Sequence, residues 1–181
     1  MTQDCANVRV RPLQAADLPA ALEIQAAIYP TFLLEDEPAF ASRLDVAAPY
    51  CLAATRDGAL VGYLLAHGWP SEAPPPVGTV LAREAPSEIL FIHDLAISTP
   101  ERGLGLGRIL ISRAFDLAAR DGLAVAELIA VEGAAPYWRR LGFADSIAPP
   151  HLAAKVAGYG PQARWMTRRI ALPADESRAD A

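Results

Sequence analysis

Cysteine is scarce in this chain. Cys5 and Cys51 are the two in 181 residues, too few for a disulfide framework and at no metal-ligand spacing, so a reducing compartment such as the cytoplasm is the expected location and no metal is expected. Excess positive charge is missing too. Sixteen Lys and Arg against 21 Asp and Glu leave a formal charge of −5, which excludes a general attraction to nucleic acid or to anionic membranes. No run of about 18 apolar residues occurs, so no membrane-spanning helix is expected. The opening MTQDCANVRVRP lacks the apolar core of a signal peptide. Internal repeats and composition breaks that would mark a second domain are also absent. What remains is a chain with 52% hydrophobic residues, most simply one domain over residues 7–171 with a sizeable core. Residues 172–181, ending PADESRADA, are expected to be a polar, disordered tail.

Taken in order, Val8 to Arg11 alternates as a strand, and Ala15 to Ile28 has helical spacing, with Asp17 as candidate N-cap and Pro19 in the first turn. A short helix is expected over Pro38 to Leu44, its start preceded by Glu35-Asp36-Glu37, which suit a solvated, acidic N-terminus. Tyr50 to Thr55 and Leu60 to His67 read as strands joined by a hairpin at Asp57-Gly58, with His67 at the polar end of the second. A Pro-rich stretch up to Ser87 is too long for an ordinary connection; it is either a wall of the acceptor pocket, with Trp69 on it, or a simple insertion. Ala124 to Val131 and Arg164 to Ile170 are further strands, Ala134 to Leu141 is a short helix stopped by Gly142, and His151 to Gly158 is ambiguous.

The chain is organised around Ile89 to Arg120. An apolar strand to Ile97, carrying the polar pair His93 and Asp94, is broken by Pro100 and followed by Arg102-Gly103-Leu104-Gly105-Leu106-Gly107-Arg108. A helix opens there through Leu106, Ile109, Leu110, Ala114 and Leu117, and Asp121-Gly122 ends it. Glycines permit a tight turn and close approach of a ligand, and the first helical turn leaves its N–H groups unpaired at the positive end of the helix dipole. A phosphate or diphosphate fits such a cradle. The dinucleotide fingerprint is excluded because its third glycine position holds Arg108 or Leu110, and a P-loop is excluded because no Gly-Lys-Ser/Thr follows.

Arg102, Gly105 and Gly107 fill the pattern Arg/Gln-x-x-Gly-x-Gly/Ala, and this stretch resembles the pyrophosphate loop of the GNAT superfamily of N-acyltransferases. Tyr137-Trp138-Arg139-Arg140-Leu141-Gly142-Phe143 is similar to that superfamily's aromatic-x-x-Leu-Gly-Phe segment, and the resemblance covers about residues 7 to 171. It implies an α/β (α+β) fold, a mixed and mostly antiparallel sheet of about six to seven strands flanked by helices. In that fold the strand ending at Ile97 and the one over Ala124 to Val131 splay apart, and acetyl-coenzyme A enters the gap. The implied cofactor-binding residues are Leu95, Ala96 and Ile97 for pantetheine, and Arg102, Gly103, Leu104, Gly105, Leu106, Gly107 and Arg108 for the diphosphate.

The resemblance implies acetyl transfer from acetyl-coenzyme A to a primary amine of a small molecule or protein, by direct attack in a ternary complex. Such an amine has a pKa near 10.4, so about one molecule in a thousand is neutral at pH 7 and a base is needed. Many relatives carry a Glu base where Phe91 stands, and others a histidine where His93 stands. His93 is therefore the candidate base and Glu132 the reserve. Strand alternation puts Phe91, His93 and Leu95 on one face and Asp94 and Ala96 on the other. A strand N–H near Leu95 or Ile97 is placed for the oxyanion. The tyrosine that serves relatives as general acid is replaced by Trp138, with Tyr137 one residue away. An acyl-coenzyme A binding sensor without turnover is the alternative, O-acylation stays open, and so does a homodimer.

Overall fold

The structure, a computed structural model, describes residues 7–47, 50–82 and 86–173; Cys5 and the expected tail from residue 174 onward lie outside the described residues. Seven strands form one sheet: β1 Val8–Pro12, β2 Leu52–Arg56, β3 Ala59–Trp69, β4 Ile89–Ile97, β5 Val125–Ala130, β6 Ala144–Asp145 and β7 Arg164–Arg169. Their spatial order is β1-β2-β3-β4-β5-β7-β6, and β4 with β5 is the parallel pair among otherwise antiparallel neighbours. Five helices flank it: α1 Leu18–Ile28, α2 Glu37–Ala47, α3 Leu106–Arg120, α4 Ala135–Arg140 and α5 Pro150–Gly158. The ambiguous stretch from His151 to Gly158 is thus helical. The hairpin between β2 and β3 turns at Asp57 and Gly58, both with positive φ (50° and 84°), the backbone that an Asp-Gly turn supplies.

Each face of the sheet carries its own core. On one, α3 presents Leu110, Ile111, Ala114, Phe115 and Ala118 at spacings of three and four, and these pack with Leu64, Leu90, Ile92, Leu128 and Met166 of the strands. Trp138 and Phe143 join that side, their rings edge to face at 5.4 Å. On the other face α1 and α2 bring Leu18, Ala21 and Phe40 against Tyr63, Leu65 and Ala96. There α5 buries Leu152 and Val156 against Phe91 and Trp165. Burying side chains of this size contributes about 1.5 to 3 kcal/mol each, which outweighs the modest helix propensity of α1 and α5.

Three sequence expectations are corrected here. Asp17 precedes α1 but makes no side-chain cap; its carboxylate pairs with Arg11 at 2.6 Å and accepts the Gln14 N–H at 2.9 Å. His67 is not a strand end, because β3 runs on to Trp69 and His67 is fully buried within it. The alternation of β4 is broken. Leu65 lies opposite Asp94 and Ala66 opposite Ile92, so His93 is an extra residue in the strand. That β-bulge shifts the period by one. Leu90, Ile92, Leu95 and Ile97 all pack toward α3, while Phe91 and Ala96 face the opposite side. His93 and Asp94, although consecutive, both point to the α1/α2 side, where they meet Glu35, Tyr29 and Tyr63.

Candidate active site

The parallel pairing of β4 and β5 is short. It holds at Leu90 with Ala126 and Phe91 with Glu127, and past these the strands part. A cavity of about 530 Å³ fills the opening; His93, Leu95, Arg102, Glu132 and Tyr137 all line it. Beyond Arg102 the chain turns through Gly103 and Gly105, whose φ values of 82° and 78° lie in the left-handed region. There a side chain costs on the order of 1 kcal/mol or more. Ile109 is the first amide of α3 to bond back, to the Gly105 carbonyl at 3.1 Å, so the amides of residues 103–108 make no backbone hydrogen bond among the described residues. A Cβ added at Gly103 or Gly105 would meet nothing within 4 Å, so this surface is open to a ligand. Gly107 has a different reason for being glycine: a Cβ there would fall 2.2 Å from the Tyr137 hydroxyl.

The remaining predicted cofactor-binding residues divide by what they can offer. Arg102 and Arg108 are exposed cations, and the Arg102 Nε lies 3.4 Å from the Ile97 carbonyl. Leu104 is half-buried, and the side chains of Leu106 and Ala96 are buried, leaving their main chain alone for binding. Past Phe91 the β5-facing edge of β4 has no strand partner among the described residues, and the Leu95 carbonyl accepts the Tyr29 hydroxyl at 3.1 Å.

His93 is one of the residues that line the cavity. Its Nε2 lies 2.6 Å from Oε2 of Glu35, and Oε1 of the same carboxylate takes Nη2 of Arg43 at 2.7 Å. All three side chains are nearly inaccessible, with exposures of 8%, 3% and 0% for His93, Glu35 and Arg43. Glu35 is therefore not part of a solvated helix start. Asp36 and Glu37 of the acidic trio do play that part: both are exposed, Asp36 accepts the Ala39 N–H at 3.0 Å, and Glu37 lies in the first turn of α2. Burial pushes the Glu35 carboxyl up, but its hydrogen bond to His93, the charges of His93 and Arg43, and the Gly78 amide outweigh this and hold it below the usual range. Arg43 was invisible to sequence reasoning as a site residue. The one available signal is its place on the helical face of Ala39 and Phe40, where an arginine among apolar residues demands a buried partner.

Beside His93, Asp94 is half-buried and accepts the hydroxyls of Tyr29 and Tyr63, each at 2.6 Å. Burial raises its carboxyl, opposed by the two hydroxyl donors. Tyr137 is half-buried with its hydroxyl against the first turn of α3, and burial raises its phenol, so it stays protonated at neutral pH. Trp138 is buried against Phe143. Glu132 is exposed in the turn after β5 with a positive φ of 48°.

The Pro-rich stretch is fastened along its described length. Glu127 of β5 accepts the Ser71 hydroxyl at 2.7 Å and the Glu72 amide at 2.9 Å; Lys155 of α5 reaches the Pro74 carbonyl. Gly78 donates to Glu35, Thr79 accepts from Arg43 at 3.2 Å, and Leu81 donates to the Ser42 hydroxyl at 3.0 Å. Pro75 and Val77, rather than Trp69, line the cavity; the Trp69 indole instead donates to the Ala73 carbonyl at 2.6 Å. No group of three or more His, Cys, Asp or Glu among the described residues is arranged to hold a metal ion. No helix among them is long and apolar enough to cross a membrane.

A sheet that splays between two parallel strands, with open glycine-turn amides on one side of the gap and a carboxylate-held imidazole in it, is an arrangement suited to acyl-group transfer. A family profile described as the Acetyltransferase (GNAT) family matches residues 18–143, and the chain belongs to that family. Solved structures agree in fold. The ribosomal-protein-S18-alanine N-acetyltransferase from Escherichia coli is 18% identical with a TM-score of 0.63, covering 93% of this chain and 97% of its own. Arabidopsis thaliana Naa50, in complex with the bisubstrate analogue CoA-Ac-MVNAL, is 14% identical with a TM-score of 0.64, over 90% of this chain and 99% of its own. A GNAT-like decarboxylase, GphF, in complex with isobutyryl-CoA, is 16% identical with a TM-score of 0.67, over 90% and 100%. No curated protein matches in sequence.

Proposed function

We propose that the protein is an acetyl-coenzyme A dependent N-acetyltransferase that acts on a primary amine of a small molecule or protein by direct attack in a ternary complex. The observation that carries this reading is that one cleft holds both parts of the machinery: the amides of residues 103–108, uncommitted and open, and the His93 imidazole held by a buried carboxylate. The residues fit the coenzyme: a glycine-turned helix start with Arg102 and Arg108 for the diphosphate, then the free edge of β4 at Leu95 and Ile97 for pantetheine amides, in the manner of an added strand. Acetyl-coenzyme A, when bound, supplies an activated acyl carbon. His93 takes the proton that a protonated acceptor amine must lose, and Tyr137 keeps a proton available at the sulfur end of the cleft. Glu132 is the reserve base. Cys51 plays no part; it is buried in the core and its thiol is pushed up to about 12. A cytoplasmic location rests on the cysteine content.

Pro75, Val77, Ile28, Leu33 and Phe91 make the acceptor side of the cavity apolar, and Arg102 is the one cation among the described lining residues. The preferred acceptor therefore carries an apolar group beside its amine and no carboxylate. In an amine panel followed by thiol release, aromatic or branched amines and peptides with apolar first residues should exceed free amino acids in kcat/KM by about tenfold or more, the worth of one or two methylenes in such a pocket. Equal rates across the panel would remove this specificity. Coenzyme A binding without acceptor-dependent release would favour the sensor reading over turnover.

Gly105→Val places a β-branched residue at a φ of 78° and turns the cradle amides. Coenzyme A affinity measured by calorimetry should fall at least about tenfold, equivalent to roughly 1.4 kcal/mol, in a protein that still folds. Retained affinity in a folded variant would contradict the diphosphate site.

A further inference from the structure

We infer that Glu35 is a positioning residue: it fixes His93 in one tautomer, with the proton on Nε2 and the lone pair on Nδ1, and ties the base to the segment that walls the acceptor side. The inference rests on the transfer reading above, and it adds a residue to it. Glu35 lies outside any helix, between α1 and α2, and is nonetheless held from every side. The buried Gln25 amide clamps its backbone twice, donating to the Glu35 carbonyl at 3.0 Å and accepting its N–H at 2.8 Å. Oε1 accepts Arg43 at 2.7 Å and the Gly78 amide at 2.5 Å, leaving Oε2 to His93 at 2.6 Å.

An ionised carboxylate accepts and cannot donate. The Arg43 charge and the Gly78 amide keep Glu35 ionised, so Nε2 of His93 must carry the hydrogen. A neutral imidazole has one N–H, which makes Nδ1 the basic atom. Nδ1 makes no hydrogen bond within the described residues, and the ring lines the cavity. A ring free to take either tautomer would offer the wrong nitrogen part of the time. The Gly78 bond adds a second consequence, because Val77, its neighbour, lines the acceptor side. An acceptor that displaces this wall displaces the carboxylate that orients the base.

The charged and titratable groups around His93 are Glu35 from the α1–α2 connection, Arg43 of α2 behind it, Asp94 of β4, His67 of β3 and, near Glu35, Tyr159 just after α5. His67, its ring 6.1 Å from that of His93, is pushed down to about 3 by burial and stays neutral at working pH. Asp94 is engaged by Tyr29 and Tyr63, not by the imidazole. Glu35 is the anion in contact with the ring.

The test is ¹⁵N NMR of the histidine rings in the free protein, at a pH where His93 is neutral, with kcat measured alongside. The wild type should show His93 as a single Nε2–H tautomer. Glu35→Gln alone leaves Arg43 buried without a counter-charge and risks misfolding, so Glu35→Gln with Arg43→Met is the informative variant. It should lose the single tautomer and lower kcat about 10- to 100-fold. A wild-type Nδ1–H tautomer would overturn the inference, and so would a double variant with the wild-type tautomer and kcat. The spectrum needs no turnover: a single Nε2–H tautomer in a protein that acetylates no amine would uphold the role of Glu35 while removing the proposed activity.

Discussion

His93→Ala is expected to lower kcat/KM for an amine acceptor by roughly 10² to 10⁴, the usual contribution of a general base. The size follows from the acceptor's protonation: with about one amine in a thousand neutral at pH 7, an enzyme without a proton acceptor in the cleft must wait for the rare neutral form. The variant's rate should therefore climb about tenfold per pH unit until the amine itself titrates, whereas the wild type should level off earlier. Folding is not at stake in the same way. The ring lines a cavity, and Glu35 keeps its pairing with Arg43 and Gly78 when the imidazole is gone. Steady-state kinetics from pH 6 to 9 with a circular dichroism check measure this. An unchanged rate and profile would exclude His93 and shift attention to Glu132.

Arg43→Met carries the largest expected loss of stability. Arg43 is fully buried and its charge answers that of Glu35 at 2.7 Å, with further bonds to the Ala39 carbonyl at 2.5 Å and the Thr79 carbonyl at 3.2 Å. Replacing it leaves a buried carboxylate without its cation, a change that costs about 3 to 5 kcal/mol. For a chain of this size that is a fall in Tm on the order of 10 °C. Adding Glu35→Gln should recover much of the loss, because both charges are then gone and a buried pair contributes little net stability by itself. Thermal denaturation of the single and double variants decides it. A single variant within about 1 kcal/mol of wild type would mean that water reaches Glu35.

What the sequence disclosed was local chemistry. The glycines at 103 and 105 announce a left-handed turn, Asp57-Gly58 a hairpin, and the apolar spacing of α3 its buried face, because each signal lies within one turn or a few residues. Hence the family's sheet and the glycine turn before α3 were legible. The bulge at His93 was not, since it depends on how β4 registers with β3. Simple alternation therefore put Leu95 on the wrong face. Glu35 was misplaced for a related reason. An acidic trio before a helix looks solvated, and its burial comes from Arg43, eight residues on, and His93, 58 residues away. Gly107 was explained by ligand approach alone, whereas the Tyr137 hydroxyl also requires it. Only the folded chain shows that contact.

The central claim is that the unpaired amides after Ile97 hold the diphosphate of an acyl carrier. Calorimetric titration with coenzyme A, set beside pantetheine, which lacks the diphosphate, tests it most directly. The account predicts saturable binding of coenzyme A at about 100 μM or tighter, with pantetheine at least roughly 100-fold weaker, a difference of about 2.7 kcal/mol. Equal affinity for the two, or no binding of coenzyme A at millimolar concentration, would contradict it.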